Sequence, residues 1–306
     1  MHTQARRASR DIRRKGLREE TVLGYLLLLP ALLLFGLFSY YPILYALRIS
    51  LLDWNGIAKF PNFVGLDNYA RAIQDPLFRR ALRQTLYYTL GVVPGTMVVG
   101  LLLALLLNTR LKARALYRTV YYLPNVAPTV AASIVWKLIL DGNWGLLNYV
   151  LSRLHLPTPN WLYEPGWAMV AIIIMSIWAN AGYQMVIFLA GLQGIPDIYY
   201  EAAKIDGANR WQQIRFVTLP LLSHTTFFVL ITSIIGSFQV FGSIYILTNG
   251  GPAQSTTVMV FLIYQRAFKY FQMGYGSALA YILFGIILVL TLFQFWVGRR
   301  SVYYEV

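Results

Sequence analysis

The sequence predicts an all-α membrane protein with six transmembrane helices and both termini in the cytoplasm. Three observations carry that reading. Of 306 residues, 58% are hydrophobic and only 12% charged, about half the charged share of a soluble domain. Apolar runs free of charge, long enough to cross a bilayer as helices, recur along the chain. Basic residues are distributed unevenly among the connecting segments. Disorder, a collagen-like chain and a soluble enzyme are excluded. Zero cysteines rule out disulfides, thiolate metal sites and a cysteine nucleophile. His2, His155 and His224 share no ligand spacing, so no metal site is expected.

The first span lies in the 27 uncharged residues between Glu20 and Arg48. Its apolar run is too long for a signal peptide and lacks a small-x-small cleavage site, so it stays as an anchor. The second occupies the 26 residues between Arg83 and Arg110. Only 18 separate Arg118 from Lys137, but a snorkelling lysine lets the third span run on to Leu140. The fourth has 32, between Glu164 and Asp197, and the sixth 29, between Lys269 and Arg299. The 50 uncharged residues from Arg215 to Arg266 exceed one crossing, and Asn249, Gly250, Gly251 and Pro252 end the fifth span after Leu247. The spans therefore fall at roughly 22–47, 84–108, 119–140, 167–192, 221–247 and 275–297.

Seven Lys/Arg ahead of the first span place the N-terminus in the cytoplasm, and six crossings return Arg299 and Arg300 to that side. Sixteen of the 26 Lys/Arg then face inward, so the net charge of +14 is a topology signal and not a nucleic-acid surface. The first outer loop, 48–83, runs against the trend with six basic residues and three acids. The organisation is a basic cytoplasmic tail, 1–20, a six-span domain, 21–298, and a cytoplasmic tail, 299–306. Within the outer loop, residues 53–61 are turn-rich, Asp67 reads as an N-cap, and Asp75 before Pro76 reads as a helix start that opens span two with a short exposed turn. Residues 145–154 have the apolar spacing of a short interfacial helix, closed by Pro157 and Pro159.

Residues 193–220 form the cytoplasmic connection between spans four and five. Pro196 opens a helix in which Ile198, Ala202 and Ile205 make one apolar face, and Gly207 ends it by accepting a left-handed backbone. A second helix carries Trp211, Ile214 and Val217 or Thr218 on one side and ends at Pro220. The product is a compact helical pair with two alanines beside Glu201, shaped to enter a groove on another protein; an ordinary amphipathic connector is the alternative.

The string "YEAAKIDGANRWQQIRFVTLPLL" resembles the EAA loop of the permease subunits of bacterial ATP-binding-cassette importers. "FVGLDNYARAIQDPLFRRAL", "YRTVYYLPNVAP", "AGLQGIP", "SFQVFGSIYILTNGGP" and "MGYGSALAYILF" are similar, in order, to the sugar-type branch, so the resemblance covers residues 24–298. It implies a type I ABC importer permease fold in a bacterial inner membrane, moving a sugar, oligosaccharide or polyol. It also implies an ATPase dimer, an extracytoplasmic solute-binding protein and a second permease as partners. The chain has no GxxxxGK[ST] loop, so ATP and Mg belong to the separate ATPase. "LTNGGP" is similar to the member usually encoded first of a maltose/glycerol-phosphate-like pair, which implies a non-identical second permease. Carried over by position, Glu201 pairs with a basic residue of the ATPase, Ala202 and Ala203 permit close approach, Gly207 forms the corner and Asp206 caps or braces the loop.

With no charge in the interior of any span, a solute path is built from neutral groups. Span four offers Ser176, Trp178, Asn180, Tyr183 and Gln184; span five offers Ser233, Ser237 and Gln239. An unpartnered amide in lipid costs several kcal/mol, so these amides face protein or water, either bonding neighbouring helices or meeting solute. The resemblance selects Ser176, Asn180, Tyr183, Ser233 and Ser237, and relatives carry a polar or acidic residue where this chain has Gly242. An ion-coupled secondary transporter is the competing class, but it calls for a buried acid or histidine within a span. A membrane-embedded enzyme lacks any supporting motif.

Overall fold

The computed structural model describes residues 23–109 and 112–301. The expected N-terminal tail, 1–20, and residues 302–306 of the C-terminal one lie outside the described residues. The chain opens with α1 (Leu23–Ser50), followed by a two-residue antiparallel pair, β1 (Leu52–Asp53) against β2 (Asn62–Phe63), with Leu52 opposite Phe63. Then come α2 (Asp67–Gln74), α3 (Pro76–Leu107), α4 (Arg114–Val126), α5 (Thr129–Ile139), α6 (Leu146–Arg153) and α7 (Pro165–Gln193). The short α8 (Asp197–Ile205) and α9 (Arg210–Gln213) precede α10 (Ser223–Phe238), α11 (Gly242–Leu247), α12 (Met259–Tyr264) and α13 (Met273–Ser301).

Among the described residues, five helical stretches are long and apolar enough to cross a membrane: α1, α3, α7, α10 with α11, and α13. The third expected span, 119–140, is not one helix. Pro128 crowds the α conformation of the residue before it, and Ala127 accordingly sits at φ −64°, ψ 136°, dividing the stretch into α4 and α5. The fifth is also interrupted: Gln239, Val240 and Phe241 leave the helix before α11 resumes at Gly242.

Three local expectations need correction or refinement. Asp67 is the first residue of α2 and not its cap, a place held by Leu66. Asp75 does cap α3, accepting from the Leu77 N–H at 2.8 Å, but that helix runs unbroken from Pro76 into the span, with Phe78 and Ala81 already buried and no separate exposed turn. The same carboxylate takes the Arg266 guanidinium at 3.1 Å and the Tyr275 hydroxyl at 2.9 Å, tying α3 to the start of α13. Finally, α6 ends before the prolines: His155 turns left-handed at φ 56°, and the Leu156 N–H returns to the Leu151 carbonyl at 2.9 Å. Next to it, Asp141 accepts from the backbone N–H groups of Trp144 and Asn143, which hold its carboxyl below the ordinary carboxylate range.

The packing axis is α3 against α7, brought close by small residues. A Cβ on Gly100 would lie 2.9 Å from the Cβ of Gln184, and one on Gly182 would lie 2.0 Å from the Tyr121 carbonyl oxygen, where α4 crosses α7. Gly182→Ala should therefore destabilise the bundle by about 2 kcal/mol, since the obstacle is backbone and not a mobile side chain; thermal unfolding of the detergent-solubilised protein reads it. By contrast α1 is peripheral, its apolar window wholly unburied, and meets α13 through a hydrogen bond from the Tyr281 hydroxyl to the Ile43 carbonyl.

Candidate solute cavity and coupling segment

Two apolar clusters flank a polar layer on α7. Towards its N-terminal end Ile172 and Met175 pack with Ile244 and Phe261; towards its C-terminal end Met185, Phe188 and Leu192 pack with Leu107 and Leu222. Between them Ser176, Asn180 and Gln184 recur every fourth residue and so share a helix face.

Two adjoining cavities open along this face. The first, about 190 Å³, lies between α3, α7 and α10, and its lining includes Asn180, Tyr183, Gln184, Ser233 and Ser237. The second, about 280 Å³, includes Ser176 and Asn180 together with Asn125, Thr129 and Ser243. Tyr88, Asn180 and Gly236 belong to both, and no charged side chain lines either. Asn180 and Tyr183 are exposed, so the first cavity opens on the flank of the chain.

The hydrogen bonds explain how these groups are held. The Gln184 amide donates to Thr96 Oγ1 on α3 at 3.0 Å and to Ser233 Oγ on α10 at 2.8 Å, joining three helices, while its own carbonyl oxygen is buried without a partner among the described residues. Tyr88 donates to Ser176 Oγ at 2.9 Å. Asn180 donates its amide to the Ser176 carbonyl at 2.8 Å, which leaves the other end of its side chain to the cavity. Ser237 bonds Thr89 Oγ1 at 3.0 Å.

Of the path residues expected from the sequence, six (Ser176, Asn180, Tyr183, Gln184, Ser233 and Ser237) are brought together here. Gln239 is not. It is the residue at which α10 ends, exposed and outside both cavities. Trp178 turns away as well, its ring 5.6 Å from that of Trp136 in an edge arrangement. Sequence reasoning missed Tyr88, Thr96, Asn125 and Ser243. The signal for Asn125 was the pair of prolines around it: both helix breaks, at 127–128 and 239–241, fall on the wall of the second cavity. Non-helical backbone at membrane depth is tolerated where it is buried in protein or lines a cavity.

At the C-terminal end of α7 the chain turns into α8. Pro196 caps it, Asp206 closes it, and Gly207 at φ 79° makes the corner. The Ala208 N–H reaches the Ala203 carbonyl at 2.8 Å and the Gly207 N–H the Lys204 carbonyl at 3.0 Å, the paired bonds of a Schellman stop. Asn209 then starts α9 with a reciprocal capping box to Gln212. Tyr200 anchors the pair to the bundle through Thr218 Oγ1 at 3.1 Å. Among the described residues nothing covers the face made by Ile198, Ala202 and Ile205: Ile205 is 87% exposed, and Trp211 beyond the corner 70%. Glu201, Ala202, Asp206 and Gly207 are exposed, and Ala203 is half-buried.

Comparison with known proteins matches residues 96–303 to the binding-protein-dependent transport system inner membrane component family. The chain belongs to that family. Among these transport components, the trehalose/maltose transport system permease of Thermococcus litoralis is 37% identical over 92% of this chain and 95% of its own length. The lactose transport system permease of Rhizobium radiobacter is also 37% identical, over 90% and 94%. In the crystal structure of a bacterial alginate ABC transporter, in complex with an alginate pentasaccharide-bound periplasmic protein, one chain superposes with a TM-score of 0.82 at 26% identity, covering 95% of this chain and 99% of that one. Family membership makes this chain an ABC transporter permease and sets the ion-coupled reading aside.

Proposed function

We propose that this chain is the first-type permease of a heterodimeric ABC importer in a bacterial inner membrane, carrying a neutral sugar, oligosaccharide or polyol into the cell. The observation that supports it best is the convergence of two helix breaks on one polar cavity free of charge. Amides and hydroxyls can exchange hydrogen bonds with a polyhydroxylated solute, and no fixed charge is present to neutralise an ion. Relatives named for lactose and for trehalose/maltose transport agree with that chemistry. In this reading α4 and α5 together make the third of six crossings, and both termini are cytoplasmic. The flank on which Asn180 and Tyr183 are exposed is completed by a second, non-identical permease.

The corner at Gly207 presents Ile198, Ala202, Ile205 and Trp211 to a cleft of an ATP-binding-cassette ATPase dimer, which binds the ATP and Mg. Glu201 faces a basic residue of that partner, Ala202 and Ala203 allow close approach, and Asp206 braces the turn. The extracytoplasmic solute-binding protein docks on residues 48–83 and 248–274. The second segment is stiffened by Thr256 and Thr257, which donate to the Gly251 and Gly250 carbonyls, and by Arg80 on Gln254 at 3.0 Å.

Purification of the intact complex from its host tests the proposal. A second permease, an ATPase and a binding protein are expected, the last carrying an uncharged, hydroxyl-rich ligand. A transport-competent assembly holding only this permease would overturn the heterodimer, and a strongly charged ligand would overturn the solute class.

A further inference from the structure

At the end of the bundle where α3 and α7 finish, Arg114 and Arg118 stand one turn apart on α4. With its amide turned so that the oxygen faces these donors, Gln193, the last residue of α7, accepts from the Nη2 of both, at 2.6 and 2.8 Å. Two cations therefore converge on one neutral oxygen. The Nε–H of each is buried without an acceptor among the described residues, and exposed Lys112 adds a third positive charge just ahead of them. The ion pair of Arg266 with Asp75 lies at the opposite end of α3, and among the described residues no carboxylate is paired with Arg114 or Arg118. Guanidiniums this close repel one another even in a well-screened site.

The surroundings bear on which anion such a pair would suit. Tyr117 and Tyr121 stand beside the arginine row, both exposed, as tyrosines do at a membrane interface. Leu116, Val120 and Leu123 on the same helix are exposed and apolar, suited to acyl chains. A basic cluster at the headgroup level, beside apolar surface, fits an anionic lipid better than a free anion.

We propose that Arg114 and Arg118 hold the phosphate of an acidic phospholipid of the phosphatidylglycerol type. The bound headgroup relieves the repulsion between the arginines and braces the α4–α7 junction, immediately ahead of α8. The assignment rests on the membrane crossing of α7 and not on the nature of the solute.

Native mass spectrometry of the purified complex, exposed to mixed micelles of phosphatidylglycerol and phosphatidylcholine, measures it. The wild type should retain phosphatidylglycerol selectively, and Arg114→Gln with Arg118→Gln should lower that retention on the order of thirtyfold. Arg114→Lys with Arg118→Lys keeps the charge and should keep much of the retention, while Lys204→Gln with Arg215→Gln should leave it unchanged. Undiminished retention by the double glutamine variant would overturn the proposal. So would displacement of the lipid by inorganic phosphate, which would indicate a free-anion site. Loss of ATPase association with lipid retention intact would assign the arginines to a protein contact and overturn it equally.

Discussion

Gly207→Pro should abolish the coupling of ATP hydrolysis to solute uptake while leaving the complex assembled in its membrane. The native backbone at this corner has φ 79°, whereas a proline ring fixes φ near −65°. The substitution also removes the N–H that bonds Lys204 at 3.0 Å and displaces the neighbouring bond from Ala208 to Ala203. A helix-stop conformation lost at about 3 kcal/mol leaves on the order of one loop in a hundred with α8 and α9 correctly angled. Gly207→Ala separates geometry from bulk. A Cβ there meets nothing within 4 Å, so only the left-handed penalty of about 1–2 kcal/mol applies, and uptake should fall by roughly tenfold. Glu201→Ala keeps the corner and removes the charge that the proposed docking places against the ATPase, and should uncouple while α8 stays folded. Uptake and solute-stimulated hydrolysis in proteoliposomes are the readouts. Normal coupling in the proline variant would make residues 193–220 a passive connector.

That corner was legible in the sequence because a glycine following Ile198, Ala202 and Ile205 at helical spacing has few other uses. The spans were legible for a coarser reason, the absence of charge over bilayer-length runs. The same criterion hid the breaks. Pro124, Pro128 and Gly242 lie inside charge-free stretches, so residues 119–140 and 221–247 read as whole helices, although the backbone consequences of Pro128 for Ala127 are local and strong. The cavity divided in the same way. Asn180, Gln184 and Ser233 stand out as polar groups in apolar helices, whereas Tyr88 and Thr96 lie on a span read for its length alone. They become members of the site only because α3 packs against α7 through Gly100. Gln239 looked equivalent to Gln184 by composition; the difference is that α10 ends at it.

Gln184→Leu combined with Asn180→Leu should lower the kcat/KM of uptake by about a hundredfold for the solute carried by the cognate binding protein. Gln184 lines the first cavity at 5% exposure, and its carbonyl has no partner among the described residues, so in the proposed reading it accepts from a solute hydroxyl once the side chain turns toward the cavity. Asn180 has one end fixed on the Ser176 carbonyl and the other at the junction of the two cavities. Loss of one matched hydrogen bond to solute costs about tenfold, and two at separate positions about the product. The fold should tolerate the change. Thr96 Oγ1 already donates to the Val92 carbonyl at 2.8 Å and Ser233 Oγ to that of Val229, so neither hydroxyl is left without an acceptor when Gln184 is removed. Leucine also preserves most of the side-chain volume against α3. Binding-protein docking and basal hydrolysis should therefore survive, and Gln239→Leu, outside both cavities, should transport almost normally. An unchanged uptake rate in the double variant would move the solute path away from α7 and α10, while a defect in Gln239→Leu as deep as in the double variant would shift it toward the end of α10.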